Sequence, residues 1–238
     1  MARLAVFDID GTLTDTNAVD AECFLRAVAE ALEIDAAKLD WSAAPHITDE
    51  ALLLWLAEQH GCRPLSDHDR RAVVDRFVEL LEAEKSSSPE RFRPVAGASH
   101  LFAEVRRAGW SCALATGGWE RSARLKLAAA SLNEDGLALA SSNDALTRVR
   151  IMQEAVRRAT PVGLTFHRIV SIGDGAWDVR AAAMLHWPFV GIASGARETV
   201  LRDHGATTVI ADFSDVAAVM RALDTAKPPS VALSAPVV

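Results

Sequence analysis

Short apolar runs separated by helix-like stretches leave this chain few folds to choose from. Residues 3–7 form one such run, and similar runs recur at 111–115, 137–140, 169–172, 189–193 and 207–210. Runs of this kind suit strands buried on both faces. Between them, apolar residues fall at helical spacing, as in Leu101, Val105 and Ala108, in Leu125, Ala129 and Leu132, or in Ile151, Ala155 and Val156. Strand and helix in alternation predict an α/β fold, a parallel sheet covered on both faces.

One region breaks the alternation. From about residue 16 to residue 93 there is no good strand, only helical stretches predicted at 21–32, 49–60 and 67–84. Phe24, Leu25, Val28 and Leu32 share a side of the first. Leu52, Leu53, Trp55 and Leu56 lie on the second, and Val73, Val74, Phe77, Leu80 and Leu81 on the third. Thr48 with Ala51 and Ser66 with Asp69 read as helix starts. An all-helical block placed straight after the first strand predicts a separate small domain over residues 16–93, with the core in residues 1–15 and 94–226. Lys85-Ser86-Ser87-Ser88-Pro89 reads as part of the hinge returning to the sheet. Residues 227–238 carry prolines and small side chains without a period, and are expected to be a loosely attached tail.

Composition narrows the function classes. A formal charge of −7 over 238 residues, with no basic stripe, argues against a nucleic-acid surface. The arginine pairs Arg106–Arg107 and Arg157–Arg158 read as solvated helix faces. Cys23, Cys62 and Cys112 are far apart and form no CxxC, so a disulfide framework or zinc site is not expected. The opening residues, MARLAVFDID, meet acid at once and lack the apolar centre of a signal peptide. No apolar run approaches the roughly 20 residues needed to cross a bilayer. The expectation is a cytoplasmic protein with no membrane or nucleic-acid partner; its oligomeric state is left open.

Chemistry gathers at the ends of the predicted strands. The first runs into Asp8-Ile9-Asp10-Gly11-Thr12, and strand alternation points Asp8 and Asp10 to one side. The carboxyl edge of an open α/β sheet is where such folds place their sites. Two carboxylates there repel, so an ion or a shared proton is expected. Gly11 and the amides after it can approach a phosphate oxygen closely. The run at 169–172 ends in Gly173-Asp174-Gly175, with Asp178 four residues after Asp174. Asp8, Asp10 and Asp174 would form a hard, oxygen-rich site suited to Mg²⁺. The run at 111–115 ends in Thr116-Gly117-Gly118, whose hydroxyl and amides can donate to a phosphoryl oxygen. A cation must balance these acids, and Arg148 and Lys126 are the candidates.

DIDGTLTDT, LATGG, a basic residue near residues 147–150, and IGDGAWD occur in the order found in the haloacid dehalogenase-like hydrolase superfamily, which the chain resembles over roughly residues 3–212. The resemblance implies a Rossmann-like core with a helical cap inserted after the first motif. It implies that Asp8 is a nucleophile and Asp10 a general acid/base, with Thr116 binding the transferring phosphoryl group. Gly11, Gly117 and Arg148 would join the phosphate site, and Thr12 would support it. Asp8, the backbone carbonyl of Asp10, and Asp174 would hold Mg²⁺, supported by Asp178. The family's third motif usually shows lysine; here Arg148 stands at the aligned position. Lys126, beside Leu125 and Leu127, is expected to face solvent.

The function implied is hydrolysis of a small phosphorylated metabolite through an aspartyl phosphate. Metal-free dehalogenation is disfavoured by Asp10 and Asp174. A phosphonate hydrolase would need a cap lysine in a recognisable motif, and neither Lys38 nor Lys85 lies in one. A phosphosugar mutase is the nearest rival, but mutases of this family generally carry a histidine where Asp20 lies. A binding protein that kept the fold is disfavoured by the intact acids. Trp41, His46, Trp55 and Trp119 are possible pocket walls, although buried aromatics more often belong to the core.

Overall fold

The computed structural model describes residues 1–34, 44–61 and 64–230. Lys38, Trp41, Cys62 and the tail from residue 231 lie outside the described residues. Among the described residues, six parallel strands form one sheet: β1 (Ala2–Phe7), β2 (Ser111–Ala115), β3 (Ala138–Ala140), β4 (Phe166–Gly173), β5 (Phe189–Ile192) and β6 (Val209–Ile210), in the order β3-β2-β1-β4-β5-β6. This is the Rossmann-like α/β architecture expected. β1 lies inside the sheet, and Phe7 pairs with Leu114 of β2 and Ile172 of β4. Both faces of β1 are covered, so Ala5 and Phe7 join one apolar cluster while Leu4 and Val6 join another. That double burial is why the strand reads as an unbroken apolar run.

The helices are α1 (Asn17–Leu32), α2 (Asp49–Gln59), α3 (Asp67–Ser87), α4 (Ala98–Arg107), α5 (Glu120–Ala129), α6 (Arg148–Ala159), α7 (Ala176–Leu185), α8 (Ala196–Asp203) and α9 (Val216–Thr225). Thr48 caps α2 by accepting from Ala51 N, and Ser66 with Asp69 forms a capping box on α3. Lys85, Ser86 and Ser87, expected in the hinge, instead complete α3. Ser86 Oγ donates to Glu82 O and Ser87 Oγ to Glu84 O, so these serines bond back to their own helix. The return begins at Ser88, followed by a 3₁₀ turn at Pro89–Phe92. At the start of the expected tail, Lys227 O accepts from Phe189 N and Ser230 N donates to Gly205 O.

The chain leaves and re-enters the sheet region at one place. Asp15 N donates to Arg93 O at 2.8 Å, Val95 N to Leu13 O at 2.9 Å, and Thr14 bridges Pro94. Helices α1, α2 and α3 share a core of Val28, Leu53, Leu56, Val73, Phe77 and Leu81, which also takes in Trp119 from the segment after β2. Phe77 has no exposed surface and meets the rings of Phe24 and Trp119 edge-on. Trp119 and Trp55 are core side chains rather than pocket walls, whereas His46 is exposed. Removing the Phe77 ring leaves a hole at the centre of this cluster. Phe77→Ala should lower the unfolding free energy by about 3–5 kcal/mol, read from urea titrations followed by circular dichroism. A change below about 1 kcal/mol would show that the cluster is not packed as described.

Candidate active site

The central strand delivers Asp8 to the carboxyl edge, and its neighbours deliver the rest. Register puts Asp8 beside the turn after β4, and Asp8 N donates to Ile172 O at 2.9 Å. Asp174 and Asp178 follow in that turn and in the first turn of α7. One carboxylate oxygen from each of Asp8, Asp174 and Asp178 lies within 4.8 Å of the others, and all three residues are buried. Burial first, and then the neighbouring carboxylates, push Asp8 well above the usual range, although Arg148 acts the other way. Asp174 is raised to about 6, chiefly by burial and then by Asp178. Three hard oxygen donors that repel one another in a buried corner fit a divalent cation.

Arg148, the first residue of α6, reaches this corner. Its Nη2 lies 2.8 Å from Asp8 Oδ1 and 2.7 Å from Asp178 Oδ1, and its Nε donates to Asp178 Oδ1 at 2.7 Å. Thr12 Oγ1 spans the gap between Asp8 Oδ2, at 3.3 Å, and Asp174 Oδ1, at 3.4 Å. Asn17 Nδ2 donates to Asp174 Oδ2 at 3.0 Å, and Arg197 of α8 pairs with the same oxygen. Neither Asn17 nor Arg197 stands in a motif, and both were missed in the sequence. Thr116 is buried one strand over, its Oγ1 accepting from Gly118 N at 3.0 Å, which leaves the hydroxyl hydrogen to donate. The Gly118 amide is therefore committed to Thr116 rather than open to a ligand. At Gly117 a Cβ would lie 2.9 Å from Arg148 Nη1 and 3.0 Å from Ile47 O, so the absent side chain lets the helical block approach.

Asp10 is turned to a second cation. Lys126 was expected to face solvent, but it has no exposed surface. Its Nζ donates to Asp10 Oδ2 at 2.6 Å and also pairs with Asp20 of α1. The physical reason is that α5 is covered on both sides. Ala123 and Leu127 pack into the sheet cluster, while Leu125 and Ala129 pack against the helical one. Burial alone would depress the Lys126 pKa, but Asp10, Asp20 and Asp49 outweigh it and raise it. Asp20 is raised to about 6, mainly by burial, with Lys126 opposing. Asp49 is raised well above its usual range by burial and then by Asp20. Its Oδ2 accepts from Trp119 N at 2.9 Å and its N donates to Gly117 O at 2.8 Å, which docks the start of α2 onto the loop after β2. In the sequence, Asp20 and Asp49 read as ordinary acids in the first turns of α1 and α2, and neither signals the buried cation between them.

Gly11 packs closely against Asp174 and Asn17. Its φ of +75° is left-handed, and a Cβ there would lie 2.1 Å from Asp174 Oδ2 and 2.2 Å from Asn17 Nδ2. Gly11→Ala should lower stability by about 1–3 kcal/mol through backbone strain. Displacing Asp174 should also weaken divalent-cation binding at least about tenfold, measured by Mg²⁺ titration calorimetry. Wild-type affinity in the variant would mean that Asp174 is not a ligand.

Known proteins resemble this chain in sequence and fold. A family model described as haloacid dehalogenase-like hydrolase matches residues 2–186. A phosphoglycolate phosphatase from Mesorhizobium japonicum is 25% identical over 219 residues, covering 88% of this chain and 91% of its own. Among solved structures, a hydrolase from Pseudomonas syringae superposes with a TM-score of 0.69 at 20% identity, covering 94% of this chain and 99% of that one. CbbY from Rhodobacter sphaeroides, solved in complex with phosphate, has a TM-score of 0.66 at 21% identity, covering 94% and 100%. At these identities the structural likeness establishes the fold.

Proposed function

The chain belongs to the haloacid dehalogenase-like hydrolase family, and on that premise we propose that it is a phosphatase acting on a small phosphate monoester through a covalent intermediate on Asp8. The observation that carries the reading is the buried corner itself: Asp8 meets Arg148 at 2.8 Å and shares a potential cation site with Asp174 and Asp178. Asp8 and Asp174 would hold Mg²⁺ together with the backbone carbonyl of Asp10, while Asp178 keeps Arg148 aligned. When bound, that ion supplies charge withdrawal from the phosphoryl oxygens.

In the first step a carboxylate oxygen of Asp8 attacks phosphorus and the bond to the ester oxygen breaks. Asp10 gives its proton to that departing oxygen. In the second step water attacks the aspartyl phosphate, Asp10 takes the water's proton, and the bond to Asp8 breaks. Inorganic phosphate leaves and Asp8 is restored. Arg148, Thr116 and the Gly117 backbone would gather the phosphoryl oxygens, whereas the Gly11 amide, expected to join them, is committed to Thr14 O at 2.7 Å; Thr12 would brace Asp8. Positioning and charge neutralisation carry most of such a reaction. Helices α1–α3 would serve as a cap over the site, opening about the paired crossing at Asp15 and Arg93. The relative from Mesorhizobium japonicum makes 2-phosphoglycolate the first substrate to try. A mutase is less well supported, since Asp20 is committed to Lys126 where a catalytic histidine would be needed.

Asp8→Asn should abolish phosphate release while leaving the thermal transition in place, because an amide does not attack phosphorus. More than a small residue of activity would sink the mechanism. Arg148→Ala should lower turnover at least about 10²-fold. Chelation with EDTA should silence the enzyme and Mg²⁺ should restore it, so full activity in a metal-free sample is the outcome that contradicts the cation site.

A further inference from the structure

Lys126 stands outside the chemistry just described. A lysine with no exposed surface is rare, and its ion partners are Asp10 and Asp20. The cation beside Asp8 is Arg148, so the phosphoryl corner already has its counter-charge.

What Lys126 does have is one half of the Asp10 carboxylate. Oδ2 accepts from Lys126 Nζ at 2.6 Å, and Oδ1 accepts from Thr16 Oγ1 at 2.6 Å. Donors on both oxygens fix the rotation of a carboxylate, while each oxygen keeps a further lone pair. Thr16 is itself diverted to this task. It occupies the N-cap of α1, where a threonine hydroxyl usually accepts from its own helix, yet it makes no such bond. Instead it donates to Asp10 and sits 2.6 Å from Thr14 Oγ1. Asp20, one turn further along α1, takes a second donor of the ammonium. The orientation of Asp10 is thus set jointly by a helix of the sheet layer, α5, and a helix of the inserted block, α1.

We infer that Lys126 is a positioning residue for Asp10, holding its carboxylate in line for proton exchange while Asp20 of α1 completes the pairing. The inference rests on the phosphatase reading, because it assigns Asp10 a proton to move. It makes the alignment of Asp10 depend on α1 being seated against α5.

The test separates proton transfer from everything else. The p-nitrophenyl phosphate leaving group departs as a stable anion, whereas that of phenyl phosphate benefits from a proton. The ratio of kcat/KM for these two substrates is independent of how much enzyme is folded. It is measured for the wild type, Lys126→Met and Asp10→Ala. A double variant, Lys126→Met with Asp20→Asn, is added because removing the ammonium alone strands two largely buried carboxylates. The ratio should rise at least about tenfold in favour of p-nitrophenyl phosphate in both Lys126 variants, as in Asp10→Ala. An unchanged ratio overturns the inference. Equal loss on both substrates by folded protein also overturns it, since that would make Lys126 a cation for the phosphoryl group. If the wild type with Mg²⁺ hydrolyses neither ester, the phosphatase reading fails and this inference falls with it.

Discussion

Repulsion among buried carboxylates governs the carboxyl edge of this sheet. At an effective dielectric constant of about 20, two like charges roughly 4 Å apart repel by about 4 kcal/mol. Asp8, Asp174 and Asp178 lie about that close, and Asp10, Asp20 and Asp49 form a second acidic group alongside. The helices that follow the strands answer this charge. α5 brings Lys126, α6 brings Arg148 and α8 brings Arg197, each to a different oxygen set. Two groups of acids with separate counter-ions let Asp8 and Asp10, two residues apart in sequence, sit in different electrostatic surroundings.

The sheet was legible because strands buried on both faces leave unbroken apolar runs, and all six fall on elements of the parallel sheet. The ends were less legible. β4 begins at Phe166, before the apolar run, because pairing with Ala2 and Arg3 extends it through residues that are not apolar. The serines at the end of α3 look like a break in the sequence but remain helical by bonding to their own carbonyls. Among the residues of the candidate site, Asp8, Asp174, Asp178, Thr116 and Arg148 were visible because each follows, or closely follows, a recognisable strand.

Lys126 was one of two candidate cations, but its burial against Asp10 and Asp20 was not visible, and the reason is geometric. Solvent exposure was inferred from α5 alone, but its two sides are claimed by different clusters, one beneath the sheet layer and one in the inserted block. Asp20, Asp49, Asn17 and Arg197 were hidden for a related reason. Each is a single polar residue in a helix or at its start, and its role arises from which segment lies opposite, a product of tertiary packing.

The paired crossing at Asp15–Arg93 and Leu13–Val95 carries a consequence for how such a chain can change over time. The way out and the way back are hydrogen-bonded to each other, so β1 meets both ends of the helical block at one point. Insertions, deletions and substitutions in the helical block can accumulate while β1, β2 and β4 keep their alignment. Selection can therefore act on what the protein admits separately from what it does to it, with the contacts of Asp20 and Asp49 marking where that independence stops.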